Sequence, residues 1–282
     1  MDGLTLEWAQ VIPQMVVVAT SESAWTHRPP LGLSDAFSTP MQCRGSIAST
    51  RNLLEGSLAA AQQTAFQTRA TSPRISPLSL TIDRWVWRLA GYYNTTHATP
   101  ALMAEAAERF AAEGRTELAE YATLKSFDEA GHDQLALEDL RALGYEAERV
   151  VEDLVPPTAR GLVNYFTELV RAPDPVGCVG YAYALERMAI TVRSDHIAAV
   201  EAILPPGVNA TRCLRVHSAL GDDAFHVEDE VEVTSRLPPA DRIKIVQACY
   251  QTVLRRNAAP QGEYLSEEAL AKKLAVFKRN RQ

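Results

Sequence analysis

The chain has 282 residues, 46% apolar and 22% charged, with a net charge of −7, enough for one large core or a core with a small appendage. Basic residues cluster only at Arg255-Arg256 and in the tail Lys278-Arg279-Asn280-Arg281, which argues against a nucleic-acid surface built on grouped Lys and Arg. No apolar run reaches the roughly 18–20 residues of a membrane span, Asp2 and Glu7 stand where a signal peptide would be basic, and Cys43, Cys178, Cys213 and Cys249 form no CxxC pair. A cytoplasmic protein with no membrane partner, disulfide framework or zinc knuckle is expected.

Residues 1–77 are rich in Ser, Thr, Gln and Pro and are broken at "HRPP", "STP" and "TSPRISP". They read as an N-terminal extension with one helix, Ser49 to Ala70, whose apolar side carries Leu53, Leu54, Leu58, Ala61 and Phe66. Residues 78–282 read as helix upon helix. The first closes at Gly114, and a long second runs from Thr116 to a capping Gly144. "ARGLVNYFTELVRA" is stopped by "PDP", and "VGYAYALERMAITVRSDHIAAVEAIL" by Pro205-Pro206. "ATRCLRVHSALGDDAFHVEDEVEVTSRL" and "ADRIKIVQACYQTVLRR" follow, then a last helix behind the Ser266 cap with Glu267 and Glu268 in its first turn. Alternating strand patterns are nearly absent. The expectation is an all-α chain, one bundle with an N-terminal extension, and a sheet of three or more strands would contradict it.

Lys125, Glu129 and His132 form an i, i+4, i+7 stripe on the long helix, flanked by Leu118, Ala122, Leu140 and Leu143. Alone, this is a surface acid beside a hydrogen-bonded histidine. Glu186 sits in a run that is apolar on nearly every side, where a carboxylate needs a cation; Arg187, Arg193 or a metal could supply it. "VHSALGDDAFHVEDE" then places His217, Asp222, Asp223 and His226 within ten residues of one predicted helix. Carboxylates and imidazoles from separate helices of a bundle suit non-haem iron or manganese, whereas zinc needs fewer ligands. His196 and the aromatic run with Trp85, Trp87, Tyr92 and Tyr93 read as structural.

ExxHD with DL and LG downstream, a Glu in a Gly/Ala-rich helix further on, and then His…D-x-x-H resemble the haem-oxygenase-like di-iron oxidases and oxygenases, over roughly residues 80–255. The resemblance implies a haem-oxygenase-like bundle that binds two Fe(II) ions and uses O₂. Its implied ligands and catalytic groups are Glu129, His132, Glu186, His217, Asp223 and His226. Two positions depart from the family pattern. Lys125 stands where many members carry a ligand carboxylate, and the spacing from His217 to Asp223 is two longer than usual. A regular helix would then turn His217 away from His226, so either the chain breaks at "ALGD" or His217 is not a ligand. Asp222 competes with Asp223, which preserves D-x-x-H.

The implied reaction is N-oxygenation of a small amine, such as an amino-azole, in natural-product biosynthesis, with Asp128, Asp139 and Glu120 expected to hold a cationic substrate. No nucleotide-binding glycine loop is present, so an external electron donor is expected, and a homodimer is allowed for. The alternatives are desaturation or oxidative cleavage of a fatty or amino acid, haem degradation through His97, thiaminase-like hydrolysis through Cys213, and a non-catalytic helical binder that has lost a metal.

Overall fold

The N-terminal extension departs most from expectation. In this computed structural model, which describes residues 5–12, 15–28, 45–70, 79–218, 223–258 and 260–279, the extension opens with three strands. They are β1 (Glu7–Ile12), β2 (Met15–Ala19) and β3 (Ala24–His27), paired antiparallel in the order β1-β2-β3. The sheet is what the all-α expectation ruled out, so the strand-free extension is corrected; the sheet is confined to residues 7–27, and the helical bundle stands. Alternation in β1 is real but inverted: Glu7, Ala9 and Val11 face inward while Trp8 and Ile12 are half-buried. β2 is an apolar run, MVVVA, which period-2 reading misses.

The rest is helical. α1 (Ile47–Ala70) follows the sheet; Leu53, Leu54, Leu58 and Ala61 are buried as expected, but Phe66 is 74% exposed. The boundary expected near residue 77 lies outside the described residues, as do Cys43, Gly221 and Asp222. α2 (Ile82–Ala112) is capped by Thr81 and ends before Gly114, whose φ of +72° suits glycine. The expected long helix is two, α3 (Thr116–Asp128) and α4 (His132–Ala142), separated at Gly131 with φ +88°. α5 (Ala147–Asp153), not foreseen, leads to α6 (Pro157–Arg171). α7 (Gly177–Ala189) and α8 (Ser194–Glu201) divide what read as one helix, as do α9 (Arg212–Val216) and α10 (Asp223–Arg236). α11 (Pro239–Asn257) and α12 (Glu267–Ala275), with its Ser266 cap, match the reading. No helix among the described residues is long and apolar enough to cross a membrane.

The core has two parts. One gathers the sheet, α1, the later half of α2, α3, α6, α7, α10 and α11. The other gathers the start of α2 around Trp85, Val86 and Trp87 with α4, α5, α9, α12 and Ile197 and Val200 of α8. The α3–α4, α7–α8 and α9–α10 breaks are thus where the chain passes from one core to the other. Within the first core α7 and α11 meet at backbone distance, since a Cβ on Gly180 would lie 2.0 Å from the Ile245 carbonyl oxygen. Gly180→Ala should therefore lower stability by about 1–3 kcal/mol through overpacking, read as a shifted urea midpoint. An unchanged midpoint would show that the helices can part freely.

Candidate metal centre

Five of the six candidate ligands, Glu129, His132, Glu186, His217 and His226, gather at this seam between the cores. Glu129 is the C-cap of α3, and His132 is the first residue of α4. The expected continuous stripe is therefore a bent one, yet Glu129 Oε2 still lies 3.2 Å from His132 Nδ1. Gly131 makes the bend without strain, because its backbone sits in the left-handed region. His217 closes α9, and its ring meets that of His132 at 4.9 Å between centroids and 78° between planes. The chain does break between His217 and α10, so the opposite facing expected of a regular helix does not arise. Asp223 opens α10, but its side chain, like all of Asp222, lies outside the described residues.

Among the described residues two groups could each hold a metal ion, Glu129 with His132 and His217, and Glu129 with Glu186 and His226; the donor atoms of each lie within 4.8 Å of one another. Glu129 belongs to both. Carboxylate and imidazole donors fit iron or manganese, so the first group passes as a metal site.

The second group already holds a cation. Lys125, only 4% exposed, places Nζ 3.6 Å from Glu129 Oε1 and in a tight ion pair with Glu186 Oε1. His226 Nδ1 lies 3.7 Å from the same Glu186 oxygen. The expected arginine partners are engaged elsewhere, Arg187 with Glu55 and Arg193 with Asp195. Burial alone would raise the Glu129 carboxyl, but the His132 hydrogen bond and the Lys125 charge outweigh it and lower it to about 2.

The other expected residues separate. Asp128 lies at the rim, half exposed, with Oδ2 3.9 Å from His226 Nε2. Glu120 is exposed on α3, which corrects the expectation that it holds a substrate beside the metal ligands. Asp139 is fully buried but occupied: it accepts from the Arg212 and Cys213 backbone N–H groups (3.2 and 3.1 Å) and from Arg212 Nη1 (3.0 Å). It thereby anchors α9 and the His217 that ends it. Asp139→Ala should cost about 1–3 kcal/mol, the penalty for stranding buried donors, read as a shifted urea midpoint; an unchanged midpoint would remove this anchoring role.

Two groups were missed. Tyr121, one turn before Lys125, donates its hydroxyl to Glu230 Oε1 at 3.0 Å, and both are buried. The signal was present, since Glu230 stands four residues after His226 on the same helical face. His97, the haem-degradation candidate, lies inside α2, paired with Asp133 at 2.7 Å and stacked on Tyr93. Cys213 is 1% exposed, a poor setting for a nucleophile that must reach a substrate. Trp85 is buried with Nε1 on the Ala210 carbonyl.

No sequence-family model matches the chain, and no curated protein matches it. Among solved structures it is similar to a domain of unknown function with a haem oxygenase-like fold from Shewanella denitrificans, at 16% identity and TM-score 0.54, covering 74% of this chain and 85% of that one. It is also similar to a TenA homologue from Pseudomonas syringae pv. tomato, at 13% identity and TM-score 0.52, covering 76% and 94%. At such identities the likeness is one of architecture: the helical bundle has the haem oxygenase-like fold.

Proposed function

We propose that the chain is an O₂-dependent non-haem iron oxygenase that adds oxygen to the nitrogen of a small amine. The observation that carries this reading is the meeting of Glu129, His132 and His217 at the core seam, a carboxylate and two imidazoles delivered by separate helices. Two histidines and one carboxylate are the donor set of non-haem Fe(II) oxygenases. Bound iron would supply the redox chemistry that activates O₂.

The chain's own residues would do the rest. Glu129, drawn well below the usual carboxylate range, stays ionised and ready to ligate at neutral pH. Asp139 fixes the helix that presents His217. Asp128, at the rim beside His226, is the carboxylate left to receive a cationic amine once Glu120 and Asp139 are set aside. Each conversion of an N–H to N–OH consumes one O₂, two electrons and two protons and releases one water, so an external reductant is required.

The test is incubation of Fe(II)-loaded protein with reductant, O₂ and a panel of amines, read by mass spectrometry. Addition of oxygen to nitrogen, abolished by His132→Ala, is expected. Loss of CO₂ or of two hydrogens from an acid, with every amine untouched, would overturn the amine assignment in favour of oxidative cleavage or desaturation.

A further inference from the structure

We propose that this centre holds one iron rather than two, with the side chain of Lys125 built in as the second cation. The inference rests on the metal-dependent reading above and departs from the two irons that the family resemblance implies.

The two oxygens of Glu129 face two different positions. Oε2 is turned to His132 Nδ1 at 3.2 Å, within the group completed by His217. Oε1 is turned to Lys125 Nζ at 3.6 Å. A carboxylate that bridges two metal ions points its oxygens in this way, one to each ion, and paired ions lie about 3.5–4 Å apart. Here one of the two places is taken by a lysine nitrogen. That nitrogen also pairs with Glu186 Oε1, the oxygen that His226 Nδ1 approaches at 3.7 Å. Lys125 thus meets both carboxylates of the second group, which are themselves 6% and 7% exposed.

The lysine is held there by the fold. It lies one helical turn before Glu129 on α3, so the same helix that delivers the shared carboxylate delivers the cation. Its nitrogen is inside the protein and has its carboxylates in place. A second iron would have to expel it from both and force a charged group into the core. The Glu129–His132–His217 group asks for no such displacement, and its donor set is that of a mononuclear site with open positions. Glu186 and His226 then serve as the lysine's partners and the wall of the site instead of as ligands.

Iron counting tests this directly. The full chain is loaded anaerobically with excess Fe(II), desalted, and assayed for iron. The nitrosyl adduct formed with NO is then examined by EPR. The expected result is close to one iron per chain and the high-spin signal of a mononuclear nitrosyl. His217→Ala should lose most of that iron, and Glu186→Gln should keep it. Lys125→Glu, which replaces the cation by a ligand carboxylate, should raise the count toward two. If Lys125→Glu does not fold, the Glu186→Gln and His217→Ala pair still decides. About two irons in the wild-type protein would overturn this inference and leave the metal-dependent reading standing. Loss of iron in Glu186→Gln with retention in His217→Ala would place the ion in the second group and overturn it too. No bound iron at all would end both.

Discussion

Lys125→Met is expected to cost about 3–5 kcal/mol of folding stability, because it strands buried carboxylates that lose the lysine charge between them. Glu186 and Glu129 are both nearly inaccessible, and Lys125 pairs with each. The pH dependence has a definite sign. Glu129 is lowered from 4.5 to about 2: burial opposes the shift, but the His132 hydrogen bond and Lys125 outweigh it. A depressed carboxyl contributes stability that is fully present above its unfolded value and lost as pH falls through its folded value. Without Lys125 part of that contribution disappears. The gap between variant and wild type should therefore be widest near neutrality and close as the pH falls from about 4.5 toward 2. Adding Glu186→Gln should recover part of the loss. Divalent metal should stabilise Lys125→Met more than wild type, since an ion binding only the folded state adds stability by mass action. Denaturant titrations across pH, with and without metal, measure all three effects. A variant as stable as wild type at pH 7 would show that Lys125 does not neutralise this site.

Lys125 also shows how far the sequence could be read. It was visible as a departure from the ligand pattern, but its target was not, because nothing in "GYAYALERMAITV" says that a lysine on another helix reaches Glu186. The obvious candidates were the neighbours Arg187 and Arg193, which the fold turns to Glu55 and Asp195. Helices with terminal signals were legible: α2 before Gly114, α6 before Pro173, and α12 behind Ser266. The breaks that make the site were harder. Apolar spacing carries on through Gly131, so α3 and α4 read as one element, and the three-residue turn 129–131, closed by the left-handed glycine, separates them. The α9–α10 break was recognisable as an alternative because His217 and His226 cannot share a face across nine residues of regular helix. The sheet was concealed by its own chemistry, with an acid on the inward face of β1 where an apolar residue was expected.

That acid carries the second large effect: Arg242→Met should destabilise the protein by about 3–5 kcal/mol. Glu7 on β1 and Arg242 on α11 are each 3% exposed and pair at 3.4 Å, joining the extension to the bundle. Ser49 and Thr50 of α1 donate their hydroxyls to Glu7 Oε1 at 3.0 and 3.4 Å, so three elements converge on one carboxylate. The packing leaves no slack, since a Cβ on Gly45 would fall 1.2 Å from that oxygen. Burial raises the Glu7 carboxyl above 4.5 although Arg242, Ser49 and Thr50 all pull it down. For an acid, a raised folded value means that ionisation costs stability as pH rises through it. Removing Arg242 raises it further, so the deficit of the variant should be largest at neutral pH and shrink as the pH falls toward 4.5. Glu7→Gln/Arg242→Met removes both charges and keeps an acceptor for Ser49 and Thr50, and should regain most of the lost stability. Urea midpoints at pH 7 and pH 5 separate the outcomes. If Arg242→Met alone unfolds at the wild-type midpoint at both pH values, the pair does not pin the sheet, and apolar contacts of β1 and β2 with α1 and α11 hold it instead.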